Sequence, residues 1–168
     1  FELYLRLLED TVKRVMRGYD APPPQPADVS LDVPAYLPDA YIPSAAAKLD
    51  VYRRLTALTD AAAIAEVRAE VRDRFGPLPS EADRYFALAG LRQLGGALGI
   101  EGMLVRGDEA RINLRGDALP RLKPLSAAFR GVQFQVDVRR VQPLSLKLTR
   151  LGGSSILDGL LHALRTIT

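Results

Sequence analysis

Asp60–Pro79, DAAAIAEVRAEVRDRFGPLP, reads as one amphipathic helix with a clean stop. Ile64, Val67, Val71 and Phe75 step by three, four and four, so they share one face. At roughly 100° per residue, Glu66, Glu70 and Asp73 gather on the opposite face. Thr59 or Asp60 can cap the start, Gly76 can terminate the helix, and Pro77 forbids continuation. The acidic face is the informative part. Glu66 lies four residues before Glu70, and Asp73 three after it, so like charges stack. Asp73 also falls in the last turn, where the helix dipole prefers a cation. A helix selected for its own stability would not choose this arrangement.

Working outward, Ser44 is a suitable cap for a preceding helix over about Ala45–Leu58, with Leu49, Tyr52, Leu55 and Leu58 as its buried stripe. After Pro79, Ser80 opens a third helix running to about Leu98, with Asp83 in a capping-box position. Tyr85, Phe86, Ala89, Leu94 and Leu98 are its expected core residues. Gly95-Gly96 within it costs about 1 kcal/mol per glycine relative to alanine, which points to close packing or a bend. The texture then changes. Ile100–Val105 and Ala110–Leu114 flank Arg106-Gly107-Asp108-Glu109 as a hairpin. Arg106-Gly107-Asp108 matches an adhesion tripeptide, but turns favour Gly-Asp on conformational grounds alone. Asp117–Phe129 is expected to be helical, with Pro124 disrupting its middle. Val132–Val138 and Leu144–Leu148 alternate as strands, as does the earlier Val29–Val33. Ser154 or Ser155 begins a last helix with Leu157, Leu160, Leu161, Leu164 and Ile167 facing inward. The predicted class is α+β: three consecutive helices packed on a small, mainly antiparallel sheet, closed by a C-terminal helix.

The 168 residues suffice for one domain with a core, plus an appendage. Phe1–Met16 is a helix candidate, and Asp20–Ala27 (DAPPPQPA) has four prolines and reads as a semi-rigid spacer. The expected division is 1–18 as the terminal helix of a preceding module, 19–27 as linker, and 28–168 as the domain itself. A chain that opens at Phe1, inside a helical pattern, is expected to be a piece of a larger protein. The net charge of +3 is too small to imply nucleic-acid binding, though the pI of about 9.4 permits it. There is no cysteine, so disulfides, thiol catalysis and zinc fingers are excluded. No apolar run approaches the roughly 18 residues of a membrane span. A cytoplasmic location and no membrane partner are expected.

Catalytic patterns are missing. Neither GxxxxGK[ST] nor GxGxxG occurs. Gly152-Gly153-Ser154-Ser155 precedes a helix but has no lysine or Walker pattern beside it, so it reads as a loop. The single histidine, His162, reads as partly buried packing on the last helix. The acidic trio lacks the loop chemistry of a calcium site, and a helix face opposite the core offers no pocket for acid–base work. No catalytic residue, metal site or cofactor is expected in this piece. Arg53-Arg54, Arg68, Arg72, Arg139-Arg140, Lys147 and Arg150 are scattered over several elements, as on a solvated surface.

Leu49-Asp50-Val51-Tyr52-Arg53-Arg54-Leu55, Glu70-Val71-Arg72-Asp73-Arg74-Phe75-Gly76-Pro77-Leu78-Pro79 and Leu98-Gly99-Ile100 together resemble the C-terminal domain of the bacterial transcription-repair coupling factor family (Mfd). Ala35-Tyr36-Leu37-Pro38-Asp39-Ala40-Tyr41-Ile42-Pro43 resembles that family's lead-in, and Phe1–Asp10 the end of its motor module. The resemblance implies a parent that is an ATP-driven double-stranded DNA translocase. Such a parent displaces stalled RNA polymerase and recruits the UvrA component of nucleotide excision repair. Its ATP and Mg sites would lie upstream. The resemblance also implies that this domain docks on the N-terminal UvrB-like module and hides the UvrA-binding surface. In that family, carboxylates ahead of the Phe-Gly turn pair with arginines of the docked module; the matching positions are Glu70 and Asp73. Arg72, beside Asp73, departs from the family pattern and is placed to screen the ridge. Two other readings stay open here: that Glu70 pairs only with Arg74 on its own helix, and that the piece is a nucleic-acid-binding appendage of the translocase.

Overall fold

In the computed structural model, the structure describes residues 25–141 and 143–168, together with Leu5. The predicted helix over 1–16, apart from Leu5, lies outside the described residues. Three helices follow one another: α1 (Ala45–Ala57), α2 (Ala61–Phe75) and α3 (Ser80–Ala97). Ser44 caps α1, its hydroxyl accepting from the Ala47 N–H, and the Asp60 carboxylate caps α2 through the Ala62 N–H. Gly76 ends α2 at φ 93°, a backbone conformation costly for any residue with a Cβ, and its N–H donates to the Arg72 carbonyl. In α1 the buried residues are Val51 and Leu55. Leu49, assigned to the stripe, is instead 49% exposed, because the packed face is rotated toward Val51. α3 starts from Pro79 without a side-chain cap. The Asp83 carboxylate accepts from Arg68 at 2.8 Å rather than capping its own helix.

The five strands are β1 (Asp28–Leu31), β2 (Ile100–Arg106), β3 (Glu109–Leu114), β4 (Phe134–Val141) and β5 (Leu144–Arg150), arranged β1-β2-β3-β5-β4. β1 runs parallel to β2 and every other pairing is antiparallel. The β2–β3 hairpin turns at Gly107-Asp108, and the Asp32 carboxylate accepts from the Gly107 N–H at 2.9 Å. β1 stops at Leu31, short of the predicted Val33, which is 41% exposed. β4 begins at Phe134 and not at Val132, because Gln133 takes a positive φ of 68° at the turn out of the preceding helix. That helix, α4 (Leu122–Gly131), follows a 3₁₀ turn over Gly116–Arg121. Pro120 sits in the 3₁₀ turn and Pro124 in the first turn of α4, where a missing N–H costs nothing, so Pro124 breaks no helix. Ser155 caps α5 (Ile156–Thr166), and Leu157, Leu160, Leu161 and Leu164 are buried as the spacing predicts.

The core forms two clusters. One lies on the sheet beneath α3, α4 and α5 and holds Leu91, Leu94, Ile112, Leu125, Phe129, Leu146 and Leu160. The other fills the helical end with Leu37, Ile42, Val51, Leu55, Ile64, Val67, Val71, Ala82 and Phe86. α3 serves both, through Ala82 and Phe86 on one side and Leu91 and Leu94 on the other. Each fully buried Leu, Ile or Phe contributes roughly 1.5–3 kcal/mol. The glycine pair in α3 marks close packing. A Cβ on Gly96 would stand 2.1 Å from the Gln25 carbonyl oxygen, and one on Gly95 3.2 Å from the Ala27 Cβ. Ala27 is buried and donates its N–H to the Arg92 carbonyl at 2.9 Å. The chain therefore enters the domain pressed against α3. At the far side Arg150 ties β5 to the segments that lead into β4 and α5. Its guanidinium lies 4.7 Å from the Phe134 ring centre and donates to the carbonyls of Val132 and Ser154.

Candidate functional site

The outer face of α2 follows from its inner one. Burying Ile64, Val67 and Val71 turns Glu66, Glu70, Arg72, Asp73 and Arg74 to solvent, as the periodicity predicts. Glu70 does not pair with Arg74. It receives a two-pronged pair from Arg54 of α1: Nη1 donates to Oε1 at 3.0 Å and Nη2 to Oε2 at 2.7 Å. Both groups stay in reach of solvent, with side chains 40% (Arg54) and 57% (Glu70) exposed. The Arg54 hydrogen bonds hold the Glu70 carboxyl below the usual carboxylate range, and Glu70 in turn raises the Arg54 guanidinium. Asp73 belongs to none of the ion pairs among the described residues. Arg68 leaves the acidic face and bridges to Asp83 of α3. Arg74 stacks over Phe75, its guanidinium carbon 4.9 Å from the ring centre. The acidic face is thus exposed but uneven: Glu70 is already partnered, and Asp73 has no ion-pair partner among the described residues.

The end of α2 is fixed from outside. The Tyr41 hydroxyl donates to the Gly76 carbonyl at 2.7 Å, and its ring meets Phe75 at 6.0 Å between centres. Burial raises the Tyr41 phenol, opposed by Arg68 and Arg72 nearby, so the phenol stays a donor well above neutrality. The Leu37 N–H donates to the Tyr52 hydroxyl at 2.9 Å, and Tyr52 meets Tyr85 edge-on at 5.0 Å. The Tyr-Ile-Pro lead-in, the Tyr-Arg-Arg helix and the Arg-Phe-Gly turn, far apart in the chain, therefore meet at one end of the fold. Sequence reasoning missed Arg54 and Tyr41 as parts of this arrangement. The available signal was placement: Arg54 precedes a buried stripe residue, and Tyr41 precedes the buried Ile42.

His162 is exposed, contrary to the packing role expected of it, because Leu161, Ala163 and Leu164 take the buried side of α5. It borders a shallow depression with Asp158, Leu161, Arg165 and Thr166. A further depression of about 620 Å³ is floored by Ala61, Ala65, Leu94 and Ala97. Among the described residues no group of three or more His, Asp or Glu is arranged to hold a metal ion, and no helix is long and apolar enough to cross a membrane.

The family model for the TRCF domain matches residues 31–123. A transcription-repair-coupling factor of Mycobacterium bovis is 33% identical over 153 residues, which cover 85% of this chain and 11% of that protein. The transcription-repair-coupling factor of Escherichia coli K12 is 35% identical over 104 residues, 60% of this chain and 9% of that protein. The chain thus spans about a tenth of the length of the curated relatives it matches. In fold it is similar to the crystal structure of the C-terminal domain of transcription-repair coupling factor, with a TM-score of 0.70 at 19% identity over 85% of this chain and 95% of that one. With more than half its residues inside the matched family model, the chain belongs to the TRCF domain family, and its fold is that of the C-terminal domain of a transcription-repair coupling factor.

Proposed function

We propose that this chain is an autoinhibitory docking module of its parent. It would dock on the parent's N-terminal UvrB-like module through Glu70 and Asp73 and cover the surface that captures UvrA. The parent would be an ATP-driven translocase on double-stranded DNA that displaces stalled RNA polymerase, with ATP and Mg bound outside this chain. The observation that carries the reading is Asp73: a carboxylate in the last turn of α2, exposed, outside every ion pair among the described residues, and against the preference of its helix dipole. An outward carboxylate that does nothing for its own helix is well placed to serve another surface. The rigid end of α2, pinned by Tyr41 and the Gly76 stop, suits such a role, because a preordered face loses less entropy on docking.

The test reverses charge at Glu70 and Asp73, each to Arg, in the full-length parent. UvrA capture should rise, and salt-sensitive binding of this chain to the separately expressed N-terminal module should fall. Unchanged UvrA capture by a folded double variant would refute the proposal.

A further inference from the structure

Docking through α2 asks two carboxylates to meet a partner's arginines, yet one of them already holds an arginine of its own domain. We infer that Arg54 is a built-in competitor for the docking arginine, occupying Glu70 whenever the module is undocked; this rests on the docking reading above. The geometry is specific. Arg54 offers Nη1 and Nη2 to the two Glu70 oxygens at 3.0 and 2.7 Å, the parallel two-bond arrangement a foreign guanidinium would use. Both carboxylate oxygens are engaged on that side, so an incoming arginine either displaces Arg54 or settles for a single bond from another direction. Displacement needs no unfolding. The Arg54 side chain is 40% exposed and the Glu70 side chain 57% exposed, so the newcomer has access and Arg54 has solvent to swing into. Arg54 cannot leave the neighbourhood, because it precedes Leu55, which is buried in the helical cluster.

The two acids therefore play unequal parts. Asp73, one turn on and outside the ion pairs among the described residues, can take a partner's arginine directly. Glu70 must trade one arginine for another. Its contribution to docking is the difference between two similar pairs, not the whole of one. Asp73 starts the engagement, and Arg54 sets how much affinity the second contact adds. The domain thus carries a weakening device, suited to a clamp that must release.

The experiment titrates this chain against the separately expressed N-terminal module of the parent, at two salt concentrations. Arg54→Gln should tighten docking roughly two- to fivefold, the range that exposed charge pairs span, and steepen the salt dependence, since capture of Glu70 no longer breaks a pair. Arg53→Gln removes the same charge from the neighbouring exposed arginine without touching the two-bond pair. It should have the smaller effect; equal tightening by both variants would overturn competition in favour of a general field effect. In a Glu70→Gln background, Arg54→Gln should change nothing, and a persistent effect would also overturn the inference. Arg54→Lys keeps the charge but not the two parallel bonds, and should fall between wild type and Arg54→Gln. Docking unchanged or weakened in folded Arg54 variants would defeat the inference. Asp73→Arg without effect on docking would instead defeat the docking reading itself, so the two failures are distinct.

Discussion

At the scale of single residues, Gly96 and Glu70 show how differently a side chain can matter. Gly96 is needed for what it lacks. A Cβ there would press to 2.1 Å from the Gln25 carbonyl oxygen, a backbone atom that cannot rotate away. Gly96→Ala should therefore cost about 1–3 kcal/mol in urea unfolding, even though alanine favours helix. Gly95→Ala should be close to neutral. Its Cβ would stand 3.2 Å from the Ala27 Cβ, and helix propensity returns about 1 kcal/mol. Equal losses at both positions would contradict this account. Glu70 matters through ionisation. Its carboxyl is held below the usual range by the Arg54 hydrogen bonds, so folding favours the charged form. The sign follows: that contribution is complete above the ordinary glutamate pKa of about 4.3 and is lost as pH falls through the lowered folded value. Glu70→Gln should melt below wild type at neutral pH, and the two should converge in acid. Melting curves across that window would check it; a gap that persists in acid would contradict it.

Among elements, α2 is the most legible in the sequence. Its apolar spacing, its aspartate cap and its glycine-proline stop are all local, and local signals survive folding unchanged. α1 was harder. Val51 and Leu49 lie about 160° apart on a helix at roughly 100° per residue, and only the packing against α2 and the lead-in segment decides which is buried. Pro124 carries a similar ambiguity. The same residue breaks a helix in its middle and opens one in its first turn, and the 3₁₀ segment that moves the start to Leu122 leaves little trace in the periodicity. The acidic face was readable as a face, but its partnership was not. Arg54 and Glu70 are sixteen residues apart and meet only because α1 packs beside α2, whereas Arg74 stood at the tempting spacing of four. Periodicity tells which way a side chain points, not what waits there.

For the whole molecule, the two cores are joined through one helix. Ala82 and Phe86 of α3 belong to the helical cluster, and Leu91 and Leu94 to the sheet cluster, so neither cluster can lose α3 without the other noticing. Equilibrium unfolding should accordingly be a single transition. The composition makes this easy to follow. There is no tryptophan, and of the six tyrosines none follows Tyr85: Tyr36, Tyr41, Tyr52 and Tyr85 lie in the helical part and Tyr4 and Tyr19 lie outside the described residues, so tyrosine emission leaves out the sheet while far-ultraviolet dichroism follows the entire fold. The two signals should change at the same urea concentration; separated midpoints would show independent halves.

The seat of Gln25 and Ala27 on α3 has a mechanical meaning. A slack tether would absorb any displacement of what comes before it. Here the incoming backbone abuts Gly96 and is clamped to Arg92 before it runs on as a strand beside β2. Twist or thrust that arrives at Gln25 thus meets the common helix within a few residues, and through it both halves of the fold.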